Sequence, residues 1–415
     1  MRTRGLIALM VVIPAGAVLA GGDDHSPAFR GPNGSGYYQG VAATSWSEAG
    51  KTGVLWKARL DLPGWSSPVV WDDKVVVTAA DPDKRLVYCF SAATGKLAWK
   101  TEIQPPANPP RNYVIDTMSS HWDTLLHAGA TPVTNGKQVF ALFSNGQLVA
   151  LDLITGKPLW NILAGDSSGN KYGLDNSLLV NGSSVIAVFQ SDPERFIAAY
   201  DSATGKQEWK TPRESSSWAS PILARTPSGR LLVVLPADPD VTAWDARTGA
   251  KVWSTRVLGE RPAYCMGPSP VADGERVYVN CENNGIFALD LEKGSLAWAL
   301  KELPDGSPFS AFCSMTTDGR RLYQFEQSVL TVIEAKSGKV LAQKNIDHNS
   351  CEASPLVVGD TLYLVGSSAI LVFKTGDSPE KVGEGTLTET VEATPAFSRG
   401  RLFIRTAGAL YGVGP

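Results

Sequence analysis

The chain has little of what most catalytic sites are made from. Its four histidines are His25, His121, His127 and His348, and only His121 and His127 share a segment. They lie six residues apart with no cysteine or second carboxylate at metal-ligand spacing, so no transition-metal site is expected. No GxSxG occurs, and the serines at Ser66-Ser67 and Ser215 to Ser217 read as turn residues rather than nucleophiles. No glycine-rich phosphate loop opens a helix, and the mature chain offers no amphipathic helix. An excess of one charge is missing too. The formal net charge is −3, which points away from nucleic-acid and anionic-membrane partners.

One apolar run stands out, at the N-terminus. Arg2 and Arg4 precede an apolar stretch from Gly5 to Leu19, and Val18-Leu19-Ala20 supplies small residues for cleavage. Residues 1–20 therefore read as a signal peptide, with an uncleaved anchor as the alternative. Pro14 and the following Gly21-Gly22-Asp23-Asp24 make the run short and poorly flanked for a membrane-spanning helix. Gly22 stands where a lipidated cysteine would be, so no stable membrane anchor is expected. The mature chain should be a soluble monomer in the periplasm or outside the cell.

What the chain does have is a repeat. Ala199 to Trp209, AYDSATGKQEW, reads as a strand, a tight turn at Thr204-Gly205 and a second strand ending in tryptophan. Copies end at Trp99, Trp160, Trp253 and Trp298, and Trp56 occupies the same slot without a preceding turn. The turn glycines are Gly95, Gly156, Gly205, Gly249 and Gly294, with weaker copies at Gly338 and Gly376. Most steps are about 45 residues, the period of propeller blades. The residue six before the glycine is small in most copies (Cys89, Ala150, Ala199, Ala243, Ala288), as close contact with a neighbouring blade requires.

Ser-Pro or Thr-Pro pairs open the blades at Ser67, Thr131, Ser220, Ser269, Ser354 and Thr394, and Ser177 and Ser314 fill the gaps. Each is followed by a hairpin signal such as Asn135-Gly136 or Asp273-Gly274. The fold class is all-β: an eight-bladed β-propeller of four-stranded antiparallel blades. Residues 54–60 (VLWKARL) are a fourth strand whose partners lie at the other end, in Thr394 to Val413, so the N-terminal strand closes the ring. The expected division is 1–20 signal peptide, 21–50 extended N-terminal arm and 51–415 propeller. In the arm, Phe29 and Arg30 could anchor a partner, but an arm lying on the domain is the simpler reading. A proline-rich insertion at 104–130 interrupts the pattern.

Topology places the loops entering the inner strands on one face with the loops joining second and third strands. Trp65, His127, Asp175, Trp218, Tyr264, Cys265, Phe312, Cys313 and Glu352 precede inner strands, and Asn283, Asn284 and Glu326 come from the second kind of loop. They should ring the mouth of the central channel, either as a ligand or peptide site or as side chains that plug it. Hairpin arithmetic about Asp273 sets Cys265 opposite Cys281, or one residue away, and predicts a disulfide in an exported chain. Cys313 and Cys351 are a weaker second pair, and Cys89 should stay free.

AxDxxTGKxxW repeated, with FRGPNGSG (Phe29 to Gly36) ahead of it and SSWASPIL (Ser216 to Leu223) within it, resembles the PQQ-like β-propeller repeat proteins of bacteria. The resemblance covers residues 27–413 and implies the propeller fold. Members include the outer-membrane assembly factor BamB, a non-catalytic scaffold, and the quinoprotein alcohol dehydrogenases. Those dehydrogenases hold pyrroloquinoline quinone (PQQ) between a tryptophan and a ring of two adjacent bonded cysteines, with calcium on carboxylate and amide ligands. This chain departs from that pattern: its five cysteines are Cys89, Cys265, Cys281, Cys313 and Cys351, none of them adjacent. The expected function is an exported, non-catalytic binding or assembly scaffold that offers a propeller face to a protein or polysaccharide. No cofactor is expected. The alternative is a PQQ-dependent oxidoreductase with quinone and calcium in the channel.

Overall fold

Asp152, Asp201 and Asp245 each turn a carboxylate back onto the Thr-Gly corner that follows. Asp201 Oδ1 accepts from the Thr204 amide at 2.9 Å and its hydroxyl at 2.6 Å, and Asp152 treats Thr155 the same way. The glycine then takes the positive φ that closes the turn, +71° at Gly205. The small residue six before it lies directly across the hairpin from the tryptophan: Ala199 pairs with Trp209, Ala243 with Trp253 and Cys89 with Trp99.

These hairpins assemble into an eight-bladed β-propeller. The computed structural model describes residues 25–105, 126–165, 174, 176–190, 194–257, 267–282, 284–309, 312–349 and 353–415. Among these residues the strands form eight antiparallel sheets, spanning 69–102, 133–163, 179–212, 222–256, 271–300, 316–345, 356–386 and 396–413, called blades 1 to 8. Strand Val54–Arg59 completes blade 8 by pairing antiparallel with Ala409–Val413, from Arg59 opposite Ala409 to Val54 opposite Val413. The two ends of the chain thus close the ring, as the unaccompanied Trp56 predicts.

Successive side chains of a strand face opposite neighbours. The buried apolar residues accordingly gather in layers between blades. One layer sets Val70, Val75 and Val77 of blade 1 against Trp56, Phe403 and Leu410 of blade 8. The next sets Val69, Val76 and Cys89 of blade 1 against Val139, Ala141 and Val149 of blade 2.

Blade 7 departs from the four-stranded expectation. Tyr37–Tyr38 adds a parallel strand beside Val357 and Val358, and Trp46–Ser47 adds another beside Gly385 and Thr386. The N-terminal segment therefore passes from the inner edge of this blade to its outer edge. Trp46 covers Gly385 there, on a blade whose outer strand, like that of blade 6, carries no tryptophan of its own.

The expected Cys265–Cys281 bridge is not formed. Cys281 is a buried free thiol packed among Val277, Val279 and Phe287, and burial pushes its pKa up to about 12. The hairpin turn is centred between Gly274 and Glu275 rather than on Asp273: the Asp273 amide donates to Arg276 O, and Asp273 Oδ1 accepts from the Glu275 and Arg276 amides. Val271 then pairs with Tyr278 and Ala272 with Val277, a register that meets Cys281 at Pro268 rather than Cys265. Cys89 is also free and buried and Cys313 is buried, while Cys265 and Cys351 lie outside the described residues.

Candidate functional site: the channel mouth

The inner strands are tied together by a belt of hydroxyl groups. The residue before each blade-opening proline, or its counterpart, donates its amide to the hydroxyl of its equivalent in the next blade. Ser67 donates to Thr131 Oγ1 at 3.0 Å, Thr131 to Ser177 Oγ at 3.3 Å, and Ser177 to Ser220 Oγ at 2.9 Å. Ser220 donates to Ser269, Ser269 to Ser314, Ser314 to Ser354 and Ser354 to Thr394, at 2.9–3.0 Å. These amides sit at strand starts facing the channel, where the ladder supplies no acceptor, so a short hydroxylated side chain satisfies them. That is the physical content of the Ser-Pro and Thr-Pro marker.

At the step from blade 8 to blade 1, Arg405 makes the connection. Its Nη1 donates to Ser66 O at 3.0 Å and Ser66 Oγ at 2.5 Å. Ser66 Oγ also accepts from the Thr78 amide at 3.0 Å.

The channel is occupied by the chain's own N-terminal arm. Ser26 exchanges two backbone bonds with Val70 of blade 1, and Pro27 O accepts from Thr134 of blade 2. Gly34 packs on Ile222 of blade 4, Ser35 O accepts from Thr316 Oγ1 of blade 6, and Gly36 O accepts from the Val357 amide of blade 7. A segment that touches the inner strands of so many blades can only lie on the axis. Val70, Thr134 and Val358 stand next to the hairpin turns of their blades, so the arm enters from the face opposite the mouth.

The tip of the arm, from Arg30 to Gly36, turns back within the channel. Its backbone takes positive φ at Arg30, Gly31, Gly34 and Gly36, which explains the RGPNGSG composition. Gly36 N donates to Arg30 O across the loop. Arg30 is buried, and its Nη2 donates to Ser35 O at 3.1 Å and to Met315 O at the entry to blade 6. Burial pushes its pKa down to about 10, and the ionisable group set against it is the Tyr38 phenol.

Around the mouth, Trp65 and Glu392 meet: the half-buried indole Nε1 donates to Glu392 Oε2 at 2.7 Å. Glu392 was not singled out from the sequence. It stands two residues before Thr394, as Trp65 does before Ser67, Trp218 before Ser220 and Phe312 before Ser314, so the same offset identifies it. His127 is buried on a 3-10 turn, Leu126–Ala128, with Nδ1 3.3 Å from Ser144 Oγ. Asn284 is buried in the turn between the second and third strands of blade 5, where its Nδ2 donates to Glu282 O at 3.0 Å. Glu326 is half-buried at the matching turn of blade 6, paired with Val329. Trp218 is half-buried, and Phe312 is exposed at 55%. Asp175, Tyr264, Asn283 and Glu352 lie outside the described residues.

The six tryptophans of the repeat lie away from this mouth, at the turn side of the blade interfaces. The indole Nε1 of Trp56, Trp99, Trp160, Trp253 and Trp298 donates to Ala92 O, Leu153 O, Ser202 O, Leu291 O and Ala335 O of the following blade, at 2.8–3.0 Å. Trp209 is the exception: its Nε1 is buried without an acceptor among the described residues.

A ring of blades closed by both termini, with tryptophans clasping the next turn, has known counterparts. The family described as outer membrane protein assembly factor BamB matches residues 47–226 and 194–411. The chain belongs to this family. Among individual relatives, BamB of Burkholderia pseudomallei is 25% identical over 57% of this chain and 61% of its own length. The dehydrogenase subunit of a quinone alcohol dehydrogenase from Komagataeibacter europaeus is 24% identical over 72% of the chain and 42% of its own length. Tetrathionate hydrolase of Acidithiobacillus ferrooxidans is 24% identical over 68% of the chain and 54% of its own length. The chain thus spans about half the length of these relatives. Two solved structures share the fold. BamB of Moraxella catarrhalis has a TM-score of 0.62 at 16% identity, covering 87% of this chain and 97% of that one. The quinohemoprotein alcohol dehydrogenase of Comamonas testosteroni has a TM-score of 0.67 at 13% identity, covering 94% and 81%.

The described residues of the BamB-family mouth do not fit PQQ with calcium. Calcium needs six to eight oxygen ligands converging on one point. Glu392 is engaged by the Trp65 indole, Asn284 is turned onto its own loop, and Glu326 sits on a different blade from either. Among the described residues no three carboxylate, histidine or cysteine side chains gather. Cys313, the described cysteine nearest the mouth by sequence, is buried with Sγ 3.6 Å from Ala353 O.

Proposed function

We propose that this protein is an exported, non-catalytic binding scaffold that engages a protein partner through the mouth face of its propeller. The observation that carries this reading is the arm on the axis. With Ser26 to Tyr38 paired to the inner strands and Arg30 buried at the tip, the axis offers recognition surface at its rim rather than a deep chamber for a small substrate. The rim supplies the exposed Phe312 ring, the half-buried Trp65 and Trp218 indoles, and the carboxylates Glu326 and Glu392. Aromatic anchors flanked by acidic and amide groups suit a polypeptide surface; a polysaccharide, which stacks on the same rings, is the other candidate. Membership of the BamB family supports the scaffold reading. No helix among the described residues is long and apolar enough to cross a membrane.

The alternative is a PQQ-dependent oxidoreductase, and the quinone dehydrogenase relatives are what favour it. Affinity capture from the exported fraction tests the scaffold reading, comparing the wild-type chain with Phe312→Asp and Trp218→Asp. A stoichiometric protein retained by the wild type and lost with either substitution is the expected result. A chain that retains nothing, or retains the same protein regardless of both substitutions, refutes docking at this rim.

A further inference from the structure

Arg405 ends the second strand of blade 8 and is fully buried. Its bonds to Ser66 O and Oγ use the Nη1 group alone. Nε and Nη2 are buried with no acceptor among the described residues. Together these two nitrogens form the side edge of the guanidinium, the parallel fork that grips planar anions bidentately. The ionisable group set against Arg405 is the Tyr88 phenol, not a carboxylate. Burial pushes the guanidinium down to about 9, so it remains a cation at neutral pH. A buried charge without a counter-charge costs several kcal/mol, so the seam between blades 8 and 1 calls for negative charge that its own side chains do not bring.

Two neighbours pack near the guanidinium, through Ser66 Oγ and the Gly64 backbone. Thr78 Oγ1, on the second strand of blade 1, is buried and likewise without a partner. Thr78 and Arg405 hold matching positions, each two residues beyond the partner of the first inner-strand residue, Val76 and Phe403. Gly64 lies against both: a Cβ there would stand 2.7 Å from Arg405 Nη2, 3.2 Å from Thr78 O and 3.0 Å from the Ala128 methyl. Only glycine fits this close approach, because any side chain would collide with the guanidinium. The backbone around it is pinned, because the Trp65 and Ser66 amides both donate to Ala128 O at 3.1 and 2.9 Å.

We propose that the seam between blades 8 and 1 binds a small monovalent anion, a halide or a planar oxyanion such as nitrate or bicarbonate, on the Nε–Nη2 edge of Arg405. The Thr78 hydroxyl donates to it. The anion neutralises the guanidinium that ties Ser66 to blade 8, at the step where the ring is closed. Binding therefore stabilises the closed propeller.

Titration of bromide or nitrate against gluconate at constant ionic strength, read as the melting temperature of the full chain, tests the proposal. The wild type should show a saturable rise, and crystals in bromide an anomalous peak at the Nε–Nη2 edge. Arg405→Met should abolish both. Thr78→Val keeps the side-chain volume and carries the test if the arginine variant does not fold; it should weaken the apparent anion affinity roughly tenfold. Melting independent of the anion, with only a water at the guanidinium, overturns the proposal. So does an anion response that survives in both variants.

Discussion

Trp56 lies so close over Gly95 that a Cβ on the glycine would stand 2.5 Å from the indole Cδ2. The indole Nε1 donates to Ala92 O at 3.0 Å in the same turn. Trp56 comes from the N-terminal strand and Gly95 from blade 1, so this contact clasps the closed ring. The same clasp joins Trp209 to Gly249 and Trp253 to Gly294.

Gly95→Ala meets two penalties, the +68° backbone and the tryptophan above it. Gly182 provides the control, because its φ is +59° and nothing lies within 4 Å of its added Cβ. Gly182→Ala should cost about 1–2 kcal/mol from the left-handed backbone alone. Gly95→Ala should cost roughly 1–3 kcal/mol more, from overpacking against a rigid ring. Denaturant unfolding of the two variants gives the comparison; equal losses would remove the clasp from the account.

The indole hydrogen bond can be separated from the packing. Trp253 Nε1 donates to Leu291 O at 3.0 Å, while Trp209 Nε1 has no acceptor among the described residues. Replacing each by phenylalanine removes similar volume, so Trp253→Phe should be the more destabilising by about 1 kcal/mol. Equal effects, or the reverse order, contradict the assignment.

The hydroxyl belt predicts a directional effect. Ser220→Ala leaves its own amide bonded to Ser269 Oγ but strips the acceptor from the buried Ser177 amide. The cost should be about 1–3 kcal/mol, the range for an orphaned buried donor. Hydrogen exchange should quicken at Ser177 rather than at Ser220. Faster exchange confined to residue 220 would reverse the direction of the belt.

Glu48 clamps the arm to the closing blade. Its Oε2 accepts from the Thr388 amide at 2.8 Å, the Thr388 hydroxyl at 2.7 Å and Tyr411 at 3.1 Å, and its Oε1 from Lys57 at 3.0 Å. Burial alone would raise this carboxyl, but the hydrogen bonds from Thr388, Lys57 and Tyr411 outweigh it and hold the pKa down at about 2. A depressed carboxylate contributes stability that is complete above its unfolded pKa of about 4.3 and is lost as pH falls through the folded value. The stability gap between wild type and Glu48→Gln should thus be constant above about pH 5 and close towards pH 2. A gap that persists at pH 2 contradicts the ionic clamp.

Blade number, ring closure and the tryptophan positions were legible because each is a local signal repeated in sequence. Trp56 without a turn before it announced the closing strand, and the pairing of Arg59 with Ala409 follows from it. The Ser-Pro marker was visible, but its role was not, since the bond from Ser67 to Thr131 joins residues from different repeats. The course of the arm was hidden for a related reason. Ser26 and Tyr37 pair through backbone atoms, which carry no side-chain pattern, and Arg30 looks like a surface residue until its burial is known. The Cys281 register failed at Asp273, whose carboxylate accepts from the Glu275 and Arg276 amides, so that the hairpin turns at Gly274-Glu275 instead of at Asp273 itself. At the mouth, Trp65, Trp218 and Phe312 were legible as residues preceding inner strands; all three stand two before the blade-opening serine, and the same offset at Thr394 gives Glu392.

The central claim is that this propeller is a scaffold whose mouth does not serve quinone chemistry. Equilibrium titration of the purified chain with pyrroloquinoline quinone and calcium, followed by dye-linked oxidation of simple alcohols, tests it most directly. The account predicts no saturable quinone binding and no dye reduction above the protein-free rate. Tight, stoichiometric, calcium-dependent binding accompanied by turnover would contradict it.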